Sequence, residues 1–188
     1  MSEQDIHQNK YSDLRSIYKY YIDAYIALYQ LKTENENELN SIYKMIKTDL
    51  IDSKRRPPQN IIKDIFDIIP YNNRYTKSYL FLAKLISDDY NVKEVYNVEF
   101  ISNVMFYKEY GIKLGKPANF KEDNSENLDI LTEDTIYRAI LYNYIEKFIS
   151  FTEREGFDKN QRLKSNITKD IHYLNYVATM EQLIVSSF

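Results

Sequence analysis

Residues 60–90 read NIIKDIFDIIPYNNRYTKSYLFLAKLISDDY. Ile61, Ile62, Ile65, Phe66, Ile68 and Ile69 recur at steps of three and four around polar Lys63, Asp64 and Asp67. That period is helical. The apolar arc is wide, which argues for a helix covered on more than one side. Pro57-Pro58 suits its opening, because a first-turn N–H has no helical partner to lose. Pro70 stops it, since the residue before a proline is pushed out of the α region. Asn72-Asn73 then suggests a turn, Asn tolerating left-handed geometry. A second helix is expected from about Thr76 to Asp88, with Tyr79, Leu80, Leu82, Ala83 and Ile86 on its apolar face. So short a connection makes the two helices antiparallel neighbours.

Upstream, Ser12 suits an N-cap and Asp13 the positive end of a helix dipole. The helix that follows carries Leu14, Ile17, Tyr18, Tyr21, Ile22, Tyr25, Leu28 and Tyr29 on one arc, widened by Tyr20, Ala24 and Leu31. Either this helix lies between two neighbours, or part of its face awaits a partner. Thr33 and Glu36 match a capping box for a second helix, with Leu39, Ile42, Tyr43, Ile46 and Leu50 inward and an end near Ile51. Lys54-Arg55-Arg56 follow, as cations do beyond a helix C-terminus.

Downstream, Phe100, Ile101, Val104, Met105 and Tyr107 predict a helix closed by Gly111. Residues 115–131 lose all period and read as a polar loop or linker. A helical hairpin is expected over 132–158, with Ile136, Ala139 and Ile140 on one face and Phe148, Ile149 and Phe151 on the other. Asn143 marks its turn and Gly156 its end. Residues 159–188 hold an amphipathic C-terminal helix, in which Ile167, Ile171, Leu174, Val177, Met180 and Ile184 follow the N-cap candidate Asn166. It is expected to cap the hairpin. The organisation is thus a helical domain over 1–114, the linker, the hairpin and the terminal helix.

Composition narrows the function. The chain has 188 residues, net charge −3 and no cysteine. Disulfides, thiolate metal sites and a cysteine nucleophile are excluded. Three glycines leave no phosphate-cradling loop. The net charge gives no general attraction to nucleic acid or anionic lipid, and no apolar run is long enough for a membrane span. The opening MSEQDIHQNK is polar, without a secretory h-region. A cytoplasmic protein is expected, with the nucleus as the alternative.

No motif of acid–base, nucleophilic or metal chemistry stands out. The acidic groups Glu34/Glu36/Glu38 and Glu122/Asp123 fall in helix starts or polar loops, where solvation is expected. No catalytic, cofactor or metal residue is therefore assigned. The sharper candidate is the loop Tyr71-Asn72-Asn73-Arg74-Tyr75, since tyrosines around an arginine are typical of interface hot spots. The competing reading packs Tyr71 and Tyr75 down over the hairpin and pairs Arg74 with a carboxylate. Tyr71, Arg74, Tyr75 and, on the first helix, Tyr20 are the candidate protein-binding residues.

Residues 68–92, IIPYNNRYTKSYLFLAKLISDDYNV, closely resemble the N-terminal region of the expanded ankyrin-repeat proteins of trichomonad protists. So do KYSDLRSIYKYYIDAYIALYQLKTENENELNSIYKMIKTDLIDSK, FYKEYGIKL and NSENLDILTEDTIYRAI, and the resemblance runs from about Lys10 to Lys164. It implies a helical domain of unknown function ahead of an ankyrin array, a protein–protein scaffold and no catalytic residues. In the unit 134–158, Ile136, Ala139, Glu146, Phe148 and Phe151 fall at ankyrin offsets. The Thr-Pro-Leu-His start is absent, and Tyr142-Asn143-Tyr144 replaces the glycine turn.

The expected fold is therefore all-α, built of stacked antiparallel hairpins in an ankyrin-like or α-solenoid-like manner. The expected function is non-catalytic binding of an as yet unidentified protein, without cofactor, nucleic acid or membrane. The alternative is a truncated, degenerate fragment of such a protein with no selected partner, and an undetected enzyme is the third reading.

Overall fold

The computed structural model describes residue 15 and residues 18–114 and 134–157. Every regular element among them is helical. Helix α1 covers residues 18–29. Helix α2, Glu36–Ile46, runs on into a wider π-helical segment, Lys47–Asp52. Helices α3, Pro58–Ile68, and α4, Thr76–Asp89, form the central pair. Helix α5 is Phe100–Tyr110. A short hairpin of α6, Ile136–Leu141, and α7, Ile145–Thr152, completes the described part.

The α3–α4 pair is the centre, as residues 60–90 imply. Ile61, Ile62, Ile65, Phe66, Tyr79, Leu80, Leu82, Ala83 and Ile86 are fully buried. Three helices pack on this pair, which is why its apolar arcs are wide. The Tyr25 hydroxyl of α1 donates to Asp64 of α3 at 2.8 Å, and Arg56 grips both oxygens of that carboxylate at 3.1 Å. The Ser78 hydroxyl of α4 donates to the carbonyl of Thr33 at 2.8 Å, beside α2. The Ser102 hydroxyl of α5 reaches the Phe66 carbonyl at 2.8 Å, under a Phe66–Phe106 ring contact of 5.5 Å. Asp89 takes hydrogen bonds from Lys47 and Tyr43, which together hold its carboxyl below the ordinary range.

Local expectations hold unevenly. Pro57 and Pro58 sit at the N-cap and first position of α3. Gly111 closes α5 at φ +70°, and Asn143 turns the α6–α7 hairpin at φ +53°. The capping box does not form. Asn35 is the N-cap of α2, its side-chain oxygen accepting from the N–H groups of Asn37 and Glu38, while Thr33 accepts from Asn35 itself. Asn caps a helix at least as well as Thr, and the start moves to it. Beyond the π-helical segment the chain turns on Lys54 at φ +58°, and Arg56 is used as the partner of Asp64. Leu114 is fully buried and accepts a backbone hydrogen bond from Val95, so the core extends to the edge of the expected linker.

Helix α1 departs most from expectation. Its buried side is Ala24 and Leu28, followed by Leu31, with Tyr21 and Tyr25 half-buried beside them. Tyr18, Ile22 and Tyr29, expected inward, face outward with Ile26. The cause is angular: at about 100° per residue a nearly all-round apolar helix has no unique inner face. Ala24 is fully buried on the inner side, and the Tyr25–Asp64 bond ties that side to α3. Leu14, Ile17, the linker 115–131 and the C-terminal segment 159–188 lie outside the described residues.

Candidate functional site

The connection between α3 and α4 is two single 3-10 turns, Ile69–Tyr71 and Asn73–Tyr75, meeting at Asn72. Neither asparagine adopts left-handed geometry; Asn72 has φ −140°. Their amides are used instead. Asn72 Nδ2 donates to the Leu31 carbonyl at 3.1 Å and to the Tyr79 hydroxyl at 3.0 Å, and that hydroxyl donates to the Leu28 carbonyl at 3.0 Å. Asn73 Nδ2 donates to the Ile140 carbonyl at 2.9 Å, and the Thr76 hydroxyl lies 3.1 Å from that of Leu141. The loop is thereby pinned to the end of α1 on one side and to α6 on the other.

With the backbone so fixed, the candidate side chains divide. Tyr75 packs against the core. Tyr71 does not; it is 91% exposed. Arg74 is exposed and lies over the Tyr75 ring, its guanidinium carbon 5.6 Å from the ring centre. Among the described residues it makes no ion pair. Tyr20 is exposed on α1 and shares no hydrogen bond or ring contact with the loop among the described residues.

Next to the loop, between the start of α4 and the α6–α7 hairpin, opens a cavity of about 620 Å³. Lys77, Arg138 and Lys147 line it together with Asn143, Tyr144 and Ile145, and Glu146 is the acid on its wall. The Lys77 ammonium lies 5.5 Å from the centre of the Tyr144 ring, and its hydrogen bond with the Tyr144 hydroxyl holds its pKa above the ordinary lysine range. The Arg138 guanidinium lies 4.8 Å over Tyr142. Tyr142 is buried, which pushes its hydroxyl pKa up and leaves it protonated at neutral pH.

Two of these cations share a property. Lys77 and Lys147 fall in the first turn of α4 and α7, whereas Arg138 stands in the last turn of the six-residue α6. In a first turn the backbone dipole disfavours positive charge by a few tenths of a kcal/mol to about 1 kcal/mol for each of the two lysines. The position of the two lysines is thus not explained by helix stability, and three cations stand with the single acid Glu146 in the lining of one concave surface, in a chain of net charge −3. The sequence reading missed them. The signal was present only for Lys77, which stands at the expected helix start near Thr76 where acidic residues are favoured, and only the fold brings it beside Arg138 and Lys147.

Among the described residues no group of acidic or histidine side chains could hold a metal ion, and no helix is long and apolar enough to cross a membrane. Comparison with family models, curated proteins and solved structures finds no match.

Proposed function

We propose that the chain is a non-catalytic protein-binding module that recognises an acidic segment of its partner. The segment lies across Tyr71 and Arg74 and places carboxylates in the cavity lined by Lys77, Arg138 and Lys147. The observation that carries this reading is the convergence of three cations on one concave surface, two of them lysines disfavoured in their own helices. An exposed tyrosine beside an arginine on a pinned loop adds the residue types that dominate interface energetics. A fixed backbone lowers the ordering cost of binding. The resemblance to ankyrin-repeat proteins, and with it a repeat-like arrangement of the hairpins and a scaffold role, agrees with this function and belongs to the same proposal.

The test is fluorescence anisotropy of a labelled glutamate-rich peptide titrated with the full chain. Binding should weaken at least tenfold in Lys77→Glu/Arg138→Glu and fall steeply with salt, because screening acts on exposed charges. A lysine-rich peptide should not bind. Equal affinity for both peptides, or an affinity unchanged in the double variant, would refute the proposal.

A further inference from the structure

The cavity beside the α3–α4 loop gathers more positive charge than one carboxylate answers. Lys77, Arg138 and Lys147 share its lining with the single acid Glu146, which leaves an excess of two positive charges. Tyr142 and Tyr144, with ring centres 5.7 Å apart and planes nearly parallel, help to place two of these cations. The Arg138 guanidinium lies 4.8 Å from the centre of the first ring, and the Lys77 ammonium lies 5.5 Å from that of the second. An aromatic ring positions a cation without cancelling its charge. The Tyr144 hydroxyl supports the charge of Lys77 and Arg138 opposes it, so the two cations stand within electrostatic reach of each other.

The opposite part of the lining adds backbone donors. Asn143 to Lys147 line the cavity and lead into α7, an eight-residue helix whose N-cap, Tyr144, makes no side-chain capping bond. First-turn N–H groups have no acceptor inside their own helix. Those of Glu146 and Lys147 find no backbone acceptor elsewhere among the described residues. A helix start of this kind favours a bound anion, and here it adds to a cluster of cationic side chains. A carboxylate brings two oxygens and one charge to such a set. A phosphate monoester brings three terminal oxygens and nearly two charges at neutral pH.

We propose that the partner's acidic segment carries a phosphorylated side chain, whose phosphate is held in this cavity by Lys77, Arg138, Lys147 and the N–H groups that open α7. The inference rests on the acidic-segment reading and names the anion which that site takes most tightly. Charge favours a short phosphorylated segment over an extended polyanion. A bilayer of anionic lipid or a nucleic acid would meet the field of the whole chain, whose net charge is −3, whereas a segment entering the cavity meets its local excess of cations. Tyr71 and Arg74, exposed on the adjoining loop, are left for the residues that flank the phosphate.

The test is fluorescence anisotropy of the full chain with labelled peptides of one sequence that carry phosphoserine, phosphotyrosine or glutamate at the central position. A phosphopeptide should bind at least about tenfold more tightly than the glutamate peptide, because its charge-assisted bonds are more numerous. Lys147 is exposed, so Lys147→Gln should keep the helical circular dichroism and cut that preference to about threefold or less. Inorganic phosphate should compete only at millimolar concentration, and phosphatidylcholine vesicles containing phosphatidylinositol 4-phosphate should not bind. Equal affinity for all the peptides, lost in Lys77→Glu/Arg138→Glu, would overturn the phosphate inference and leave the acidic-segment reading standing. Binding of none of them would overturn both. A phosphate preference unchanged in Lys147→Gln would overturn the inference. So would vesicles bound more tightly than the phosphopeptides, which would make a lipid headgroup the ligand, or displacement by micromolar phosphate, which would make it the free anion.

Discussion

Replacing Tyr79 by phenylalanine removes one oxygen from the middle of the molecule and leaves its ring in place. That hydroxyl is fully buried; it donates to the Leu28 carbonyl and accepts from Asn72 Nδ2, both at 3.0 Å. After the change, Asn72 keeps the Leu31 carbonyl at 3.1 Å, and the Leu28 carbonyl keeps only the long 3.4 Å contact from the Leu31 N–H. A typical hydrogen bond contributes about 0.5–1.5 kcal/mol net, and an acceptor left short of a partner in the interior adds to the loss. The expected destabilisation is about 1–2 kcal/mol, a factor of roughly 5–30 in the folding equilibrium. With a urea slope of about 2 kcal/mol per molar, the midpoint falls by about 0.5–1 M and the slope is unchanged. The assay is urea unfolding of the full chain followed by far-UV circular dichroism. Asn72→Ala completes a double-mutant cycle, and because the two side chains share a bond their effects should fall short of additivity by about 1 kcal/mol. A Tyr79→Phe chain within about 0.3 kcal/mol of the parent, or strict additivity with Asn72→Ala, would refute the reasoning, since distant independent sites behave that way.

Three further outcomes are expected. Asn103 is completely buried on α5 and neither amide atom has a hydrogen-bond partner among the described residues, so Asn103→Leu should stabilise by about 1–3 kcal/mol in the same urea assay; a loss of stability would show that the amide is satisfied. Gly111 has φ +70° with open space where a Cβ would stand, so Gly111→Ala should cost about 1–2 kcal/mol from backbone strain alone, read as a lower urea midpoint with helix content retained. Burial first, then neighbouring carboxylates, raises the hydroxyls of Tyr25, Tyr43, Tyr90 and Tyr110, the last to about 12. Folded-state values above the unfolded value of about 10 add stability that is complete below that pH and lost as pH rises through them. Tyrosinate absorbance should therefore rise together with loss of helix above about pH 10, and these tyrosines titrating near 10 with the helix intact would contradict the account.

Much of the fold was legible because its decisive features are local. Pro58 opens a run whose period is unmistakable, and Gly111 and Asn143 mark turns that need positive φ, whereas Ile69 before Pro70 stays in the α region and the α-helix gives way to a 3-10 turn there. The all-helical class and the central place of residues 60–90 follow from such signals. The rotation of α1 did not, because a helix apolar almost all round leaves its inner side to tertiary partners, here Asp64 of α3. The asparagines at 72 and 73 were read as backbone formers. They act as side-chain donors to carbonyls 41 and 67 residues away, which no local pattern encodes. At the candidate surface the outward Tyr71 and Arg74 were within reach of composition, whereas the cavity beside them exists only once α4 and the late hairpin meet.

The most direct measurement of the central claim is site-specific photocrosslinking in the protein's native cells. A benzophenone amino acid is placed at position 71 of the full chain and, as control, at position 41, which is exposed on α2. The account predicts one discrete protein adduct from position 71 that disappears in a Lys77→Glu/Arg138→Glu background and is not formed from position 41. No adduct from position 71, or the same adduct from both positions, would contradict it.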